Sequence, residues 1–183
     1  MLIVMSGLPA TGKSAIADAL ALAIDGIVLS VDPIESALLT SGIHVAQPTG
    51  LAAYGVAAAI AETNLRLGRT VIIDAVNGVG EAKTWWIDLA RREDVRLLVV
   101  ETVCSDEALH RRRLAERQRS LAIGEPSWET VALRRDEWVA WPFAPLTVDA
   151  VEPLADNLAR VLAAVEASRI PADIETPEGT PSP

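Results

Sequence analysis

Five short apolar runs punctuate the chain, at Leu2 to Met5, Ile27 to Val31, Thr70 to Asp74, Val95 to Glu101 and Leu146 to Val148. Each is nearly continuous rather than alternating, which predicts strands covered on both faces. Between them the apolar positions recur at helical spacing. Ile16, Leu20 and Ile24 stand at i, i+4 and i+8 with alanines filling the turns, and Gly26 is placed to cap that helix. From Asp32 to Thr70 the pattern predicts a helical insertion: a helix from Pro33 to Leu39, a loop through Gly42 to Thr49, then a longer helix with Tyr54, Ala58, Ala61 and Leu65 on one face, ending at Gly68. A helix carrying Trp85, Trp86, Leu89 and Ala90 precedes the fourth run, and an arginine-rich helix follows it. Gly124 to Ser127 breaks that helix, and an amphipathic segment holds Trp128, Val131, Leu133, Trp138 and Trp141. The last helix starts near Pro153, with Leu154, Leu158, Val161, Leu162 and Val165 as its buried stripe.

Buried strands alternating with helices predict a doubly wound α/β fold on a parallel sheet. Ligands in such sheets bind beyond the carboxyl ends of the strands, where Ser6 to Ser14, Asp32, Asp74 and Glu101 all fall.

Composition narrows the picture. At 183 residues the chain suffices for one well-buried core. Residues 1–168 read as a single domain, and 169–183 as a disordered tail, because Pro171 to Pro183 holds four prolines, three acidic residues and nothing to bury. No apolar segment approaches the roughly 20 residues that cross a bilayer, and the first strand begins at residue 2, so neither a membrane span nor a signal peptide is expected. With Cys104 as its one cysteine the chain has no internal disulfide framework, and a cytoplasmic location is the expectation. A formal net charge of −9 argues against nucleic acid as a partner and makes any anion site a local one.

That site is supplied by Gly7-Leu8-Pro9-Ala10-Thr11-Gly12-Lys13-Ser14, which fits G-x-x-x-x-G-K-[ST] and stands between an apolar run and a helical pattern, as a P-loop must. Its glycines let the backbone fold tightly around phosphates, toward which successive N–H groups and the helix N-terminus point. Gly7, Pro9, Ala10, Thr11, Gly12, Lys13, Ser14 and Ala15 form the expected nucleotide-binding set. Lys13 reaches the outer phosphates, and the Ser14 hydroxyl takes one position on Mg²⁺. Of sixteen basic residues only Lys13 and Lys83 are lysines, so lysine is retained here in a chain that almost always uses arginine.

Phosphoryl transfer needs positioning and charge stabilisation, hence a metal ligand, a base and further cations. Asp74, closing Val71-Ile72-Ile73, reads either as a Walker B aspartate opposite Ser14 on Mg²⁺ or as a turn carboxylate before Asn77-Gly78. Asp32-Pro33-Ile34-Glu35 has the form of a helix start, with Asp32 as N-cap; the same carboxylate, at the end of the second strand, is also placed to take a proton from a substrate hydroxyl. Five arginines lie within residues 110–119. A solvated helix face is one reading; a mobile lid supplying positive charge to the transferring group is the other. Arg113 and Arg117, at i and i+4, share a face, whereas Arg112 and Arg119 point elsewhere on a regular helix and are expected in solvent. Trp128, Trp138 and Trp141 read as core, Cys104 as a buried strand-end thiol, and His44 and His110 as lone histidines without a role.

Residues 1 to about 165 resemble the small P-loop kinases grouped as AAA_33-type ATP-binding proteins, relatives of chloramphenicol phosphotransferase, zeta toxin and the kinase domain of polynucleotide kinase. The resemblance rests on the phosphate loop, on Ser30-Val31-Asp32, on Tyr54 with Gly68-Arg69-Thr70-Val71-Ile72-Ile73-Asp74-Ala75, and on Cys104-Ser105-Asp106-Glu107 leading into Arg113-Leu114-Ala115-Glu116-Arg117. It implies a five-stranded sheet of order 2-3-1-4-5, ATP with Mg²⁺, an acceptor-binding insertion at 33–69, a lid at 111–135, and Asp32 at the position of the general base.

Together these features point to a kinase that moves the γ-phosphoryl group of ATP to a hydroxyl of a small molecule, with Asp32, Lys13, Arg113 and Arg117 as its catalytic groups. An ATP-binding regulatory switch and a toxin-like nucleotide-sugar kinase are the alternatives. The guanine-reading N-K-x-D stretch of a GTPase switch is missing, and Asp74 is followed by Ala75 rather than the second acidic residue of a remodelling ATPase.

Overall fold

The computed structural model describes residues 1–169; apart from Arg169, the expected disordered tail lies outside the described residues. Twelve elements follow one another: β1 (Leu2–Ser6), α1 (Lys13–Ile24), β2 (Ile27–Ser30), α2 (Val31–Thr40), α3 (Thr49–Arg66), β3 (Val71–Asp74), α4 (Gly80–Arg92), β4 (Leu97–Val103), α5 (Glu107–Glu116), α6 (Trp128–Asp136), β5 (Leu146–Asp149) and α7 (Leu154–Arg169). The five strands form one all-parallel sheet of order β2-β3-β1-β4-β5. Helices cover both faces, as the continuous apolar runs require.

β1 is buried along its whole length and pairs with β3 on one side and β4 on the other. Leu2 and Val4 face a core made with Ala53, Ala57 and Ala61 of α3 and Trp86 and Leu89 of α4. Ile3 and Met5 face the opposite core, with Ile16 and Leu20 of α1 and Val161 and Val165 of α7. Each large side chain buried in this way contributes on the order of 1.5–3 kcal/mol, so the loop leaving β1 starts from the best-anchored strand of the sheet.

Several expectations are corrected. β2 stands at the sheet edge, as the expected order 2-3-1-4-5 has it, but is only half-buried. It runs into α2 without a loop, so the N-cap position falls on Ser30 and Asp32 lies inside the first turn, with no side-chain cap bond at either. Asp32 is therefore not a helix cap. β4 begins at Leu97 rather than Val95, and Cys104, just past its end, is half-buried. The left-handed residue ending α1 is Asp25, with φ 54°, and Gly26 only donates its N–H to the Ala21 carbonyl. Leu133 and Leu154, expected in apolar stripes, are 62% and 47% exposed, because α6 buries only Val131 and α7 is inserted deeply only from Asn157 onward. No helix among the described residues is long and apolar enough to cross a membrane.

Candidate functional site

The phosphate loop leaves β1 through Gly7, whose φ of +148° and surroundings admit no other residue: a Cβ there would lie 2.4 Å from both the carbonyl oxygen and the hydroxyl of Thr102. The Gly7 N–H donates to the Val76 carbonyl over 3.0 Å. Ala10 and Gly12 are left-handed, at φ 65° and 88°, curling the chain ahead of the α1 N-terminus into the concave form that gathers N–H groups around an anion. The loop is braced from behind. The Thr11 hydroxyl donates to the Leu8 carbonyl over 2.8 Å and touches the Thr102 hydroxyl at 2.7 Å. His110, 2% exposed, holds its Nε2 2.7 Å from the Pro9 carbonyl. A carbonyl only accepts, so Nε2 carries the proton. Edge-on to that ring, at 5.1 Å, sits Trp128 of α6.

Lys13 is nearly buried, and its Nζ donates to the Leu8 carbonyl over 2.9 Å. Burial pulls its ammonium down to about 8; Asp74 and Asp32 oppose the shift, while Arg117 and Arg119 add to it. Asp74, at the end of β3, accepts from the Ser14 hydroxyl over 2.7 Å and from the Ser30 hydroxyl over 3.1 Å. Ser30 thus spends on Asp74 the hydroxyl that would have capped α2. A serine hydroxyl and one carboxylate suit Mg²⁺, which keeps several waters and takes its other oxygens from substrate phosphates. Among the described residues no three His, Cys, Asp or Glu side chains converge as a cation cage, and none is needed for such a metal.

A cavity of about 750 Å³ opens in front of these groups and brings together Lys13, Ser14, Asp32, Asp74, Arg117 and Arg119. Asp32 is reached by the guanidinium of Arg119, whose other edge donates to both oxygens of Glu125 over 2.7 and 3.2 Å. α5 ends at Glu116, and Arg117 continues in extended conformation, so the helical spacing of Arg113 and Arg117 does not hold. Both still border a smaller cavity of about 370 Å³ along Ala10, Gly12 and Ala15. Arg113 then turns toward Ala150 and Glu152 in the loop after β5, around a further cavity of about 240 Å³. Arg119, expected in solvent, is instead 19% exposed at its side chain and points into the main cavity; Arg112 is exposed as expected.

Sequence reasoning missed other supports of the site. Asn77 is fully buried at φ 52°; its Nδ2 donates to the Met5 carbonyl over 2.7 Å, and its Oδ1 accepts from the Trp86 indole over 2.8 Å, tying the end of β1 to the exit of β3. Tyr54 accepts from the Asn77 N–H over 3.3 Å, and burial pushes its hydroxyl up to about 12, so it stays neutral. The guanidinium groups of Arg111 and Arg135 lie over the Trp128 ring, at 4.4 and 5.4 Å, and the contact with Arg111 helps pin α6 to α5.

The AAA_33 family profile, described as an AAA domain, matches residues 2–137, a stretch that carries the phosphate loop, Asp32, Asp74 and all of α5. The chain belongs to the AAA_33 family. No curated protein matches it in sequence. Among solved structures, this AAA_33 protein is similar to a candidate kinase from Chloroflexus aurantiacus J-10-fl, at 22% identity and a TM-score of 0.73, over 91% of this chain and 96% of that one. It is also similar to a gluconokinase from Sinorhizobium meliloti 1021, at 16% identity and a TM-score of 0.63, over 91% and 93% of the two chains. A third is the APS kinase CysC of Mycobacterium tuberculosis in complex with AMPPNP and APS, at 16% identity and a TM-score of 0.62, over 90% and 96%. These structures share the fold of the AAA_33 chain, the five-stranded parallel sheet with its helical cover.

Proposed function

We propose that this protein is an ATP-dependent phosphotransferase that moves the γ-phosphoryl group to a hydroxyl of a small-molecule acceptor. The observation that carries the reading is the convergence on one cavity of the Ser14–Asp74 pair, the Lys13 ammonium and the Asp32 carboxylate. The named neighbours, a gluconokinase and an APS kinase, agree with a small acceptor.

The phosphate loop binds the nucleotide's phosphates through its N–H groups, and Lys13 turns from the Leu8 carbonyl to their outer oxygens. Ser14 and Asp74 hold Mg²⁺, which when bound neutralises charge on the phosphates. Arg113, with Ala150 and Leu154, lines the small cavity beside the phosphate loop that receives the adenine ring of the nucleotide. Asp32 takes the proton of the acceptor hydroxyl as that oxygen bonds to the γ-phosphorus and the bond from that phosphorus to the β,γ-bridging oxygen breaks, ADP leaving, and Arg117 faces the charge that develops on the transferring group. The segment 117–127 with α6 forms the lid, and α2 forms the acceptor wall with Pro33 and Glu35, the Glu35 carboxylate being fixed from behind by the Thr49 hydroxyl of α3 at 2.8 Å.

The test is calorimetric titration with ATP and with GTP, each with Mg²⁺, followed by ADP release against a panel of sugars, sugar acids, nucleosides and antibiotics. ATP binding with acceptor-dependent ADP release is the expected outcome. Binding without any such release favours a regulatory role, and no nucleotide binding overturns the reading.

A further inference from the structure

Four cations line the main cavity, and three of them are already engaged. Lys13 stands at the phosphate loop and donates to the Leu8 carbonyl, Arg119 reaches both Asp32 and Glu125, and Arg117 lies 3.6 Å from Glu125. Arg134 differs: among the described residues no carboxylate lies within ion-pairing distance of it, and it donates no hydrogen bond. Its direction follows from the faces of α6. Trp128, Val131 and Arg135, at i, i+3 and i+7, form the face that packs, with Val131 fully buried and the Arg135 guanidinium over the Trp128 ring. Thr130 and Arg134, at i and i+4, form another, and both line the cavity.

The same cavity takes Asp32 and Glu35 from α2. Tyr54 registers both sides of it: burial is the main cause that raises its hydroxyl, Asp32 raises it further, and Arg134 pulls it back. Arg117 and Arg119 act instead on the Lys13 ammonium. The uncommitted guanidinium therefore serves the acceptor end of the cavity, with the nucleotide end supplied by others.

We propose that Arg134 binds an oxyanion of the acceptor, so that the substrate is a small hydroxy compound carrying a carboxylate or a phosphate; this rests on the phosphotransferase reading above. A chain of net charge −9, with carboxylates on the acceptor wall, repels an anion unless a local cation is left free to receive it. A guanidinium does so with two parallel N–H donors, and the Thr130 hydroxyl stands one helical turn before it. The oxyanion on Arg134, the reacting hydroxyl on Asp32 and a further hydroxyl on Glu35 give three points, which fix which end of the acceptor meets the γ-phosphoryl group. A neutral polyol makes only two of these contacts and leaves the guanidinium unpaired.

The experiment uses acceptors matched except for the charged group: glucose, gluconate and glucose 6-phosphate, and glycerol, glycerate and glycerol 3-phosphate. ADP release from ATP with Mg²⁺ is measured with each for the unaltered protein, Arg134→Gln, Arg134→Lys and Arg135→Gln. The anionic members are expected to exceed their neutral partner in kcat/KM by at least about tenfold, and the acid and the phosphate compared show which oxyanion fits. Arg134→Gln is expected to lower that anionic preference about 10- to 100-fold, through KM with kcat within a few-fold, and Arg134→Lys to keep part of it. Arg135→Gln removes the same charge from the adjacent position on the packed face and is expected to keep the preference, which a mere loss of positive charge would not. Arg134 is exposed, so its variants are expected to fold, and thermal melting checks this. Neutral members as efficient as the anionic ones, a preferred acceptor without an anion in the wider panel above, or a preference that survives Arg134→Gln overturns the proposal and leaves the phosphotransferase reading standing. A preference lost equally in Arg135→Gln does the same. ADP release with no acceptor of either set, while ATP binds, overturns both.

Discussion

The Ser14 hydroxyl donates to the Asp74 carboxylate over 2.7 Å, joining the first turn of α1 to the end of β3 across 60 residues of chain. Neither residue is remarkable alone. Their meeting beside the phosphate loop gives the pair the donor set of a Mg²⁺ site, with Ser30 as a second hydroxyl on the carboxylate. Asp74→Asn is expected to leave the sheet intact, since the amide still accepts from Ser14, but to remove the Mg²⁺ dependence of ATP affinity. Titrations with ATP in Mg²⁺ and in EDTA give the difference; the unaltered protein is expected to bind at least tenfold more weakly in EDTA, and the variant equally in both.

Asp32→Asn tests the base. Because Ser30 occupies the N-cap position, the change does not act through a helix cap. It replaces the ion pair with Arg119 by, at most, a hydrogen bond to a neutral amide and removes the proton acceptor. ATP affinity is expected within a few-fold of the unaltered protein, and acceptor-dependent turnover about 10²- to 10⁴-fold lower. Calorimetry and ADP release together separate the two effects.

Lys13 makes binding depend on pH with a definite sign. In the free protein burial holds its ammonium at about 8, and the phosphates of a bound nucleotide raise it. Above pH 8 the free lysine has largely lost its proton while the bound one keeps it, so binding takes up a fraction of a proton and affinity falls as pH rises from about 8 toward 10. Calorimetric titrations at pH 8.5 in buffers of different ionisation enthalpy measure that uptake. Lys13→Met is expected to abolish it along with transfer.

His110→Ala removes the donor to the Pro9 carbonyl and the edge contact to Trp128, leaving a buried carbonyl unpaired. A stability loss of about 2–4 kcal/mol is expected in urea unfolding, from the lost hydrogen bond and the cavity together. ATP is expected to bind more weakly as well, because the loop loses a brace against which it holds its shape. His110→Gln, which can restore a donor, is expected to recover part of both.

The sheet was legible because parallel strands buried on both faces leave continuous apolar runs, and the phosphate loop because its eight residues are contiguous. What lay outside the pattern depends on distant partners. His110 looked solitary because its partner is a backbone carbonyl 101 residues earlier. Arg119 was assigned to solvent by continuing a helix that in fact stops at Glu116; past that point no periodicity says where a side chain points. Asp32 looked like a cap because Asp32-Pro33-Ile34-Glu35 has the form of a helix start, whereas the helix begins two residues earlier than that pattern says, at Val31, and the Ser30 hydroxyl before it is spent on Asp74.

The central place of β1 has a consequence for how the molecule comes into being. Leu2 pairs with Val71 on one side and Leu97 on the other, so the strand that carries the phosphate loop waits for two partners made much later on the ribosome. A nascent chain that has finished the loop still has no walls around it, and both edges of an apolar strand stay open until β3 and then β4 emerge. Folding limited by such distant pairings is slow, and products truncated before β4 leave an unpaired edge on which copies can associate. Nucleotide added during refolding is therefore expected to act late, stabilising the finished sheet rather than seeding it.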